Sequence, residues 1–251
     1  MTTDALAFRS VGSGPLALFI HGFPMDHRLW DQVTAHLGGL RRCVAIDLPG
    51  CGASTAEGAE SIDQISERVA GLIASLGGEA DVVGYSMGGY VLLALYERHP
   101  ELVRSLVLMD TRTEADSDEG RAGRMALIEQ VDATGVGRLA DTLAGALPSP
   151  GAAPWVKRRI RSMALDSAPD GVIAALRAMA SRPDRTELLA SIAVPALVVV
   201  GSEDTLTPPD GARQMATAIP GATFAEIPGA GHVPPLERPS AVVEALKRFW
   251  S

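Results

Sequence analysis

DVVGYSMGGYVLLALYERHP, residues 81–100, is the stretch on which the reading of this chain turns. DVV is a short β-branched run that reads as a strand, and MGGYVLLALYERH carries helical periodicity that stops before Pro100. Between them Gly84-Tyr85-Ser86-Met87-Gly88 fits G-x-S-x-G in a strand-turn-helix setting, the context in which that pattern exposes a nucleophilic serine. A turn this sharp strains the serine backbone, and the flanking glycines let strand and helix approach because neither carries a Cβ. The helix that follows aims its free amides at the same point and favours a developing oxyanion there. Ser86 is the candidate nucleophile; a glycine-rich turn without chemistry is the plain alternative.

Working outward, the same rhythm repeats. Aliphatic runs bounded by Gly, Pro or Asp lie at LALFIHG (16–22), CVAIDLPG (43–50), SLVLMDT (105–111) and ALVVVGSED (196–204), with TFAEIPG (223–229) as a weaker last strand. Helical patterns alternate with them at about 26–37, 62–76 behind an N-cap Ser61, 87–98, 209–218 and 240–250. Such alternation predicts an α/β protein with a mostly parallel wound sheet of about eight strands and helices on both faces. Near-continuous aliphatic runs suit strands buried on both sides, and LAFRSVG near the start could supply an antiparallel edge. From Thr113 to Pro183 the rhythm breaks: helix-like segments at 119–133, 136–146, 155–165 and 171–181 are punctuated by prolines, with no strand-like run. The expected organisation is a core of residues 1–112 and 184–251 with a helical cap inserted at 113–183, over the sheet edge where open α/β folds bind ligands.

Composition sets the outer limits. With 251 residues, 47% hydrophobic and 21% charged, the chain can bury a substantial core. Its 22 Lys and Arg against 30 Asp and Glu give a net charge of -8, which argues against nucleic acid and against an anionic membrane surface as partners. Cys43 and Cys51 have no metal-ligand spacing around them and read as free thiols. The opening MTTDALAFRSVGSG lacks a basic segment followed by an apolar run, so no signal peptide is expected, and no apolar stretch is long enough to span a bilayer. The expectation is a soluble cytoplasmic protein needing no cofactor and no metal; the oligomeric state is left open.

A serine hydroxyl needs a base. Of the five histidines, His21 at a strand end reads as a loop brace, His27 and His36 lie in or beside a polar-faced helix, and His99 closes a helix before Pro100. His232, in GAGHVPPLERP beyond the last strand, sits on a loop that can reach the sheet edge and is the candidate general base. An orienting acid between serine and histidine has two candidates at strand ends, Asp204 in VVVGSEDTLTP and Asp110 in SLVLMD, with Glu203 beside the first. For an oxyanion the donors would be the backbone N–H groups of Met87 and Phe23; Gly22 permits a tight turn there and Pro24 has no N–H.

On these residues the chain resembles the α/β-hydrolase superfamily, and within it the small capped serine hydrolases that include carboxylesterases and 3-oxoadipate enol-lactonases. HGFPMDHRLW, DLPGCGAS, GYSMGGYVLLALYERHPELV, LMDT, GSEDTLTP and PGAGHVPPLERP fall in family order over nearly the whole length; only 113–183 lacks shared motifs. The resemblance implies a triad of Ser86, Asp204 and His232, and prefers Asp204 to Asp110 because GSEDTLTPP matches the family's acid loop. It implies hydrolysis of a small-molecule ester or lactone through an acyl-enzyme. Haloalkane dehalogenases and epoxide hydrolases place an aspartate where this chain has Ser86, which sets both aside. Carbon-carbon bond hydrolases often read G-N-S-M-G-G, so Tyr85 argues mildly against that activity; thioester or amide cleavage, and a ligand-binding receptor on the same fold, stay as alternatives. Substrate-binding candidates are Phe23, Met25, Met87, Arg112, Met125 and Trp155, with Met163, Met179 and Arg124 as further cap residues. An arginine such as Arg112 would suit a substrate carboxylate, although solvated surface arginines are commoner.

Overall fold

In a computed structural model the chain is described over residues 6–54 and 61–251. The opening MTTDA, on which the reading of no signal peptide partly rests, lies outside the described residues.

The predicted runs become strands β1 (Phe8–Val11), β2 (Leu16–Ile20), β3 (Arg42–Ile46), β4 (Ala80–Tyr85), β5 (Val103–Met109), β6 (Ala196–Gly201) and β7 (Thr223–Ile227). They form one sheet in the order β1-β3-β2-β4-β5-β6-β7. β1 is antiparallel to β3, as LAFRSVG suggested, and every other pair is parallel. Among the described residues the sheet therefore has seven strands, against an expectation of about eight.

Successive strand residues face opposite sides, and both sides are covered. Leu16, Leu18 and Ile20 of β2 join one buried cluster with Val82 of β4 and with α2 (Ile62–Leu76), α3 (Met87–Arg98) and α8 (Pro209–Ala218). Ala17 and Phe19 point the other way, into a cluster with Val83 and Tyr85, Trp30, α1 (Asp31–Leu37) and α10 (Pro239–Trp250). Ser61 caps α2 as read, its hydroxyl accepting from the Gln64 N–H at 3.2 Å. The segment read as a helix over 26–37 is divided: a 3-10 turn, His27–Trp30, is capped by Asp26, whose carboxylate accepts the Arg28 N–H at 2.9 Å, and α1 follows. Burial pushes the thiols of Cys43 and Cys51 up to about 12, so both are protonated and unreactive at neutral pH.

Four helices join β5 to β6: α4 (Asp118–Thr134), α5 (Gly137–Ala146), α6 (Pro154–Leu165) and α7 (Pro169–Ala180), with α4 packed on α7 and α5 on α6. Where this segment rejoins the sheet, two buried arginines fasten it. Arg182 pairs with Asp116 at 2.6 Å, donates to the Glu114 carbonyl and lies over the Tyr90 ring at 4.3 Å. Arg185 bridges Asp63 of α2 and Glu97 of α3. A 3-10 turn at Glu187–Ser191, which the periodicity did not suggest, leads into β6. The last helical stretch starts one residue earlier than read, at Pro239, and is preceded by the short α9 (Pro234–Glu237). Among the described residues no helix is long and apolar enough to cross a membrane.

Candidate active site

Several strand ends meet at the carboxyl edge of the sheet. β4 ends in Tyr85, and Ser86 makes the turn into α3 at φ 52, ψ -115. This left-handed backbone is costly for a residue with a side chain, so the surroundings must hold it. The Ser86 N–H donates to the Met109 carbonyl at 2.9 Å and the Thr111 hydroxyl donates to the Ser86 carbonyl at 2.7 Å. Close approach explains the glycines: a Cβ on Gly84 would meet the Gly88 carbonyl oxygen at 2.5 Å, and one on Gly88 would meet that of Ile20 at 2.4 Å.

Three of the predicted residues are brought together. The Ser86 hydroxyl lies 3.0 Å from His232 Nε2, and His232 Nδ1 lies 2.8 Å from Asp204 Oδ2. Ser86 is partly exposed, whereas His232 and Asp204 are buried. Asp204 collects further donors: the Leu206 and Thr207 N–H groups reach Oδ1 at 2.8 and 3.0 Å, and the Thr207 hydroxyl donates to Oδ2 at 2.5 Å. Burial works to raise the Asp204 pKa, but hydrogen bonding to His232, its charge, and the Thr207 donors outweigh it and hold the carboxyl below its ordinary value. An acceptor at Nδ1 places the imidazole proton there and leaves Nε2 free to accept from the serine. Glu203, the preceding residue, is exposed.

The histidine loop is held from both sides by a residue the sequence reading did not single out. Glu237 of α9 accepts the Gly231 N–H at 3.0 Å, the Val233 N–H at 3.3 Å and, through its other oxygen, the Ser149 N–H at 2.9 Å. The His232 N–H itself donates to the Leu147 carbonyl at 2.8 Å, and the Tyr85 ring packs 5.4 Å from the imidazole. Glu237 lies inside the quoted motif PGAGHVPPLERP, but only the chain reversal after His232 reveals that its carboxylate returns to that loop.

His21 braces the neighbouring loop as read. Its Nδ1–H donates to the Gly22 carbonyl and its Nε2 accepts the Leu48 N–H, both at 2.9 Å; burial lowers its pKa, which suits a neutral ring. In the loop so held, the Met25 N–H donates to Gly22, and Phe23 is partly exposed. Among the described residues neither the Phe23 nor the Met87 N–H donates to a protein acceptor, so both stay available to a ligand.

The remaining substrate candidates lie in differing surroundings. Met25 is fully buried in the cluster that holds Leu29 and Trp30. Met125 and Trp155 stand on the surface at 42% and 38% exposure; Trp155 faces a groove shared with Arg28, Arg158 and Arg159. Their helical spacing could not distinguish a wall residue from one on a solvated face. Arg112 donates to the Leu206 carbonyl and lines a cavity of about 540 Å³ beside the acid loop, between Thr113–Ser117 and α8, not one over Ser86. Met163 and Met179 are core residues, and Arg124 pairs with Asp116.

Among the described residues, two groups bring three potential metal donors within 4.8 Å of one another, Asp26 with His27 and Asp47, and Asp110 with Asp204 and His232. In the first, the Arg28 guanidinium takes both Asp26 oxygens, while Asp47 accepts from His27 and from the Ala53 N–H. In the second, Asp204 already accepts from Leu206, Thr207 and His232.

A model of the alpha/beta hydrolase family matches residues 17–245. A thermophilic esterase from Thermogutta terrifontis superimposes with a TM-score of 0.94 at 37% identity, over 97% of this chain and 92% of that one. The pimeloyl-[acyl-carrier protein] methyl ester esterase of Chromobacterium violaceum is 31% identical over 249 residues, 96% of each chain. A Mycobacterium tuberculosis protein named putative non-heme bromoperoxidase BpoC is 32% identical over 266 residues, 98% of this chain and 97% of its own.

Proposed function

The chain belongs to the α/β-hydrolase family, and from that premise we propose that it is a serine hydrolase cleaving a small-molecule carboxylic ester or lactone through an acyl-enzyme on Ser86. The observation that carries this reading is the continuous line of contacts Ser86 Oγ, His232 Nε2, His232 Nδ1, Asp204 Oδ2, at 3.0 Å and 2.8 Å across its two gaps.

His232 takes the Ser86 proton as the serine oxygen attacks the carbonyl, and Asp204 steadies the imidazolium without itself being protonated. Negative charge gathers on the former carbonyl oxygen, which the Phe23 and Met87 amides, without a protein acceptor among the described residues, and the N-terminus of α3 would receive. His232 then returns the proton to the departing alkoxide, leaving the acyl-enzyme; for a lactone that alcohol stays tethered. Water activated by the same imidazole releases the acid. The ester-cleaving relatives support this class of chemistry, and the α4–α7 segment, within residues 113–183, would act as a cap over the sheet edge formed by residues 1–112 and 184–251.

The test is turnover of p-nitrophenyl esters of increasing acyl length by wild type and Ser86→Ala, with a fluorophosphonate probe and mass spectrometry to locate the adduct. An adduct on Ser86 and loss of turnover in the variant are expected. Full hydrolysis by Ser86→Ala would overturn the mechanism.

A further inference from the structure

The rival acid, Asp110, is not idle. It ends β5 with a left-handed φ of 44, an unusual backbone for a non-glycine residue that aspartate tolerates better than most. Its N–H donates to the Val199 carbonyl of β6, and its Oδ1 accepts the Gly201 N–H at 2.8 Å, where β6 ends. Gly201 is the root of the acid loop, because its own carbonyl accepts the Asp204 N–H at 3.1 Å. The side chain thus grips the loop at its base and turns inward, 1% exposed.

There it meets Asp204. The two carboxyl groups lie side by side: Asp110, Asp204 and His232 each present an atom within 4.8 Å of the others. Asp110 Oδ2 is buried and, among the described residues, receives no N–H or O–H donor. Two carboxylate oxygens cannot bond to one another without a proton, and a dry site makes an unshared second charge expensive.

We propose that Asp110 is a protonated carboxylic acid whose O–H donates to the Asp204 carboxylate, making it a positioning residue that steadies the acid against which His232 is aligned. The inventory of donors decides which of the two carries the charge. Asp204 accepts four hydrogen bonds from Leu206, Thr207 and His232, which stabilise an anion; Asp110 accepts one, from Gly201. The other titratable groups facing the pair act in the same direction. Glu237 adds negative charge, Tyr85 is a buried phenol held neutral by burial and by these carboxylates, and His232 is already engaged with Asp204. Burial first, and then the Asp204 charge, hold the Asp110 carboxyl well above its ordinary value.

This inference rests on the triad reading, and its test separates the two. Infrared difference spectra of wild type against Asp110→Asn at neutral pH should show a protonated carboxyl C=O band that the variant lacks and that Ser86→Ala retains. A carboxylate band in its place would overturn the assignment whatever the activity measurements say. Continued turnover by Ser86→Ala would sink the triad while leaving the band intact. In kinetics, Asp110→Asn keeps a donor toward Asp204 and an acceptor for Gly201, so kcat should stay within about threefold of wild type, with the acid limb of kcat/KM unmoved. Asp110→Ala should lose at least about tenfold in kcat with little change in KM. An ionised Asp110 would instead make Asp110→Asn shift that limb to lower pH by roughly one to two units, because a negative charge would vanish beside the imidazole; that shift refutes the proposal. The Asn variant and the infrared measurement decide the matter even if the Ala variant does not fold.

Discussion

Replacing Glu237 tests whether the histidine loop is held by the arrangement described for it. In Glu237→Ala, three buried amides lose their acceptor: Gly231 and Val233, which flank His232, and Ser149, in the segment between α5 and α6. Hydrogen bonds to a charged group each contribute roughly 1.5–3 kcal/mol. The desolvation of the carboxylate, itself several kcal/mol, is recovered when that group is removed. The expected net loss is about 4 kcal/mol, a large part of the roughly 5–15 kcal/mol that holds a domain of ordinary stability together. Glu237→Gln keeps one oxygen but turns an NH₂ group toward a backbone donor, so about 2 kcal/mol should go. Urea unfolding followed by tryptophan fluorescence measures both, and the slope of each transition shows whether its unfolded state is comparable. Because the lost bonds orient a reacting group, kcat in both variants should fall by at least about tenfold while KM changes little. A Glu237→Ala enzyme within about 1 kcal/mol of wild type, with kcat within about twofold, would refute the claim that this carboxylate holds the loop.

Asp204→Asn should lower kcat by roughly 10⁴-fold with the fold intact, since an amide can present its NH₂ to Nδ1 and hold the wrong tautomer; steady-state kinetics beside circular dichroism checks this. The same variant tests linkage. Burial raises the Asp204 pKa but the His232 and Thr207 bonds depress it further, so its stabilisation is present above about pH 4 and lost as pH falls through the folded value. The stability gap between wild type and Asp204→Asn should therefore narrow on acidification, as read from denaturant midpoints. Asp110 carries the opposite sign: above about pH 4 the unfolded chain releases a proton that the folded chain keeps. Asp110→Asn should gain on wild type by about 1.4 kcal/mol per pH unit until the folded carboxyl ionises. Arg182→Met should cost about 3 kcal/mol in urea unfolding, because it removes the buried partner of Asp116 and the carbonyl contacts that fasten the α4–α7 segment.

Much of this site was legible because strand ends are legible. Each strand run terminates in Gly, Asp or Pro, and in a parallel sheet those ends fall on one edge. Ser86 and Asp204 could thus be placed near each other without coordinates, and a loop beyond β7 could carry His232 to them. Thr207 and Glu237 escaped because hydrogen bonding to a loop leaves no period in the sequence. The substrate wall was harder to read: Met125 and Trp155 are apolar and lie on helix-like segments, but spacing gives a helical face and not what covers it. Met25 went into the core and the other two to the surface. The divided helix at 27–37 reflects a local competition, in which the Asp26 carboxylate caps a tight first turn before α-helical spacing begins.

Asp110 shows that two acids at neighbouring strand ends need not compete for one role. Two acids at neighbouring strand ends looked like rivals for one role, and family order favoured Asp204. Neighbouring ends of parallel strands, however, are only one strand spacing apart, about 4.8 Å. Acids that close β5 and follow β6 can therefore meet, as Asp110 and Asp204 do within 4.8 Å, and burial opposes the ionisation of both. In the proposed arrangement one is the anion beside His232 and the other keeps its proton. The difference follows from local backbone: the turn after Asp204 supplies two amides and a threonine hydroxyl, whereas the turn at Asp110 supplies a single amide from across the sheet. Exchanging the acids by Asp110→Asn and Asp204→Asn separately should consequently give unequal enzymes, the first close to wild type and the second crippled. Equal losses would mean that the two carboxyls share the charge and that donor counting does not govern the site.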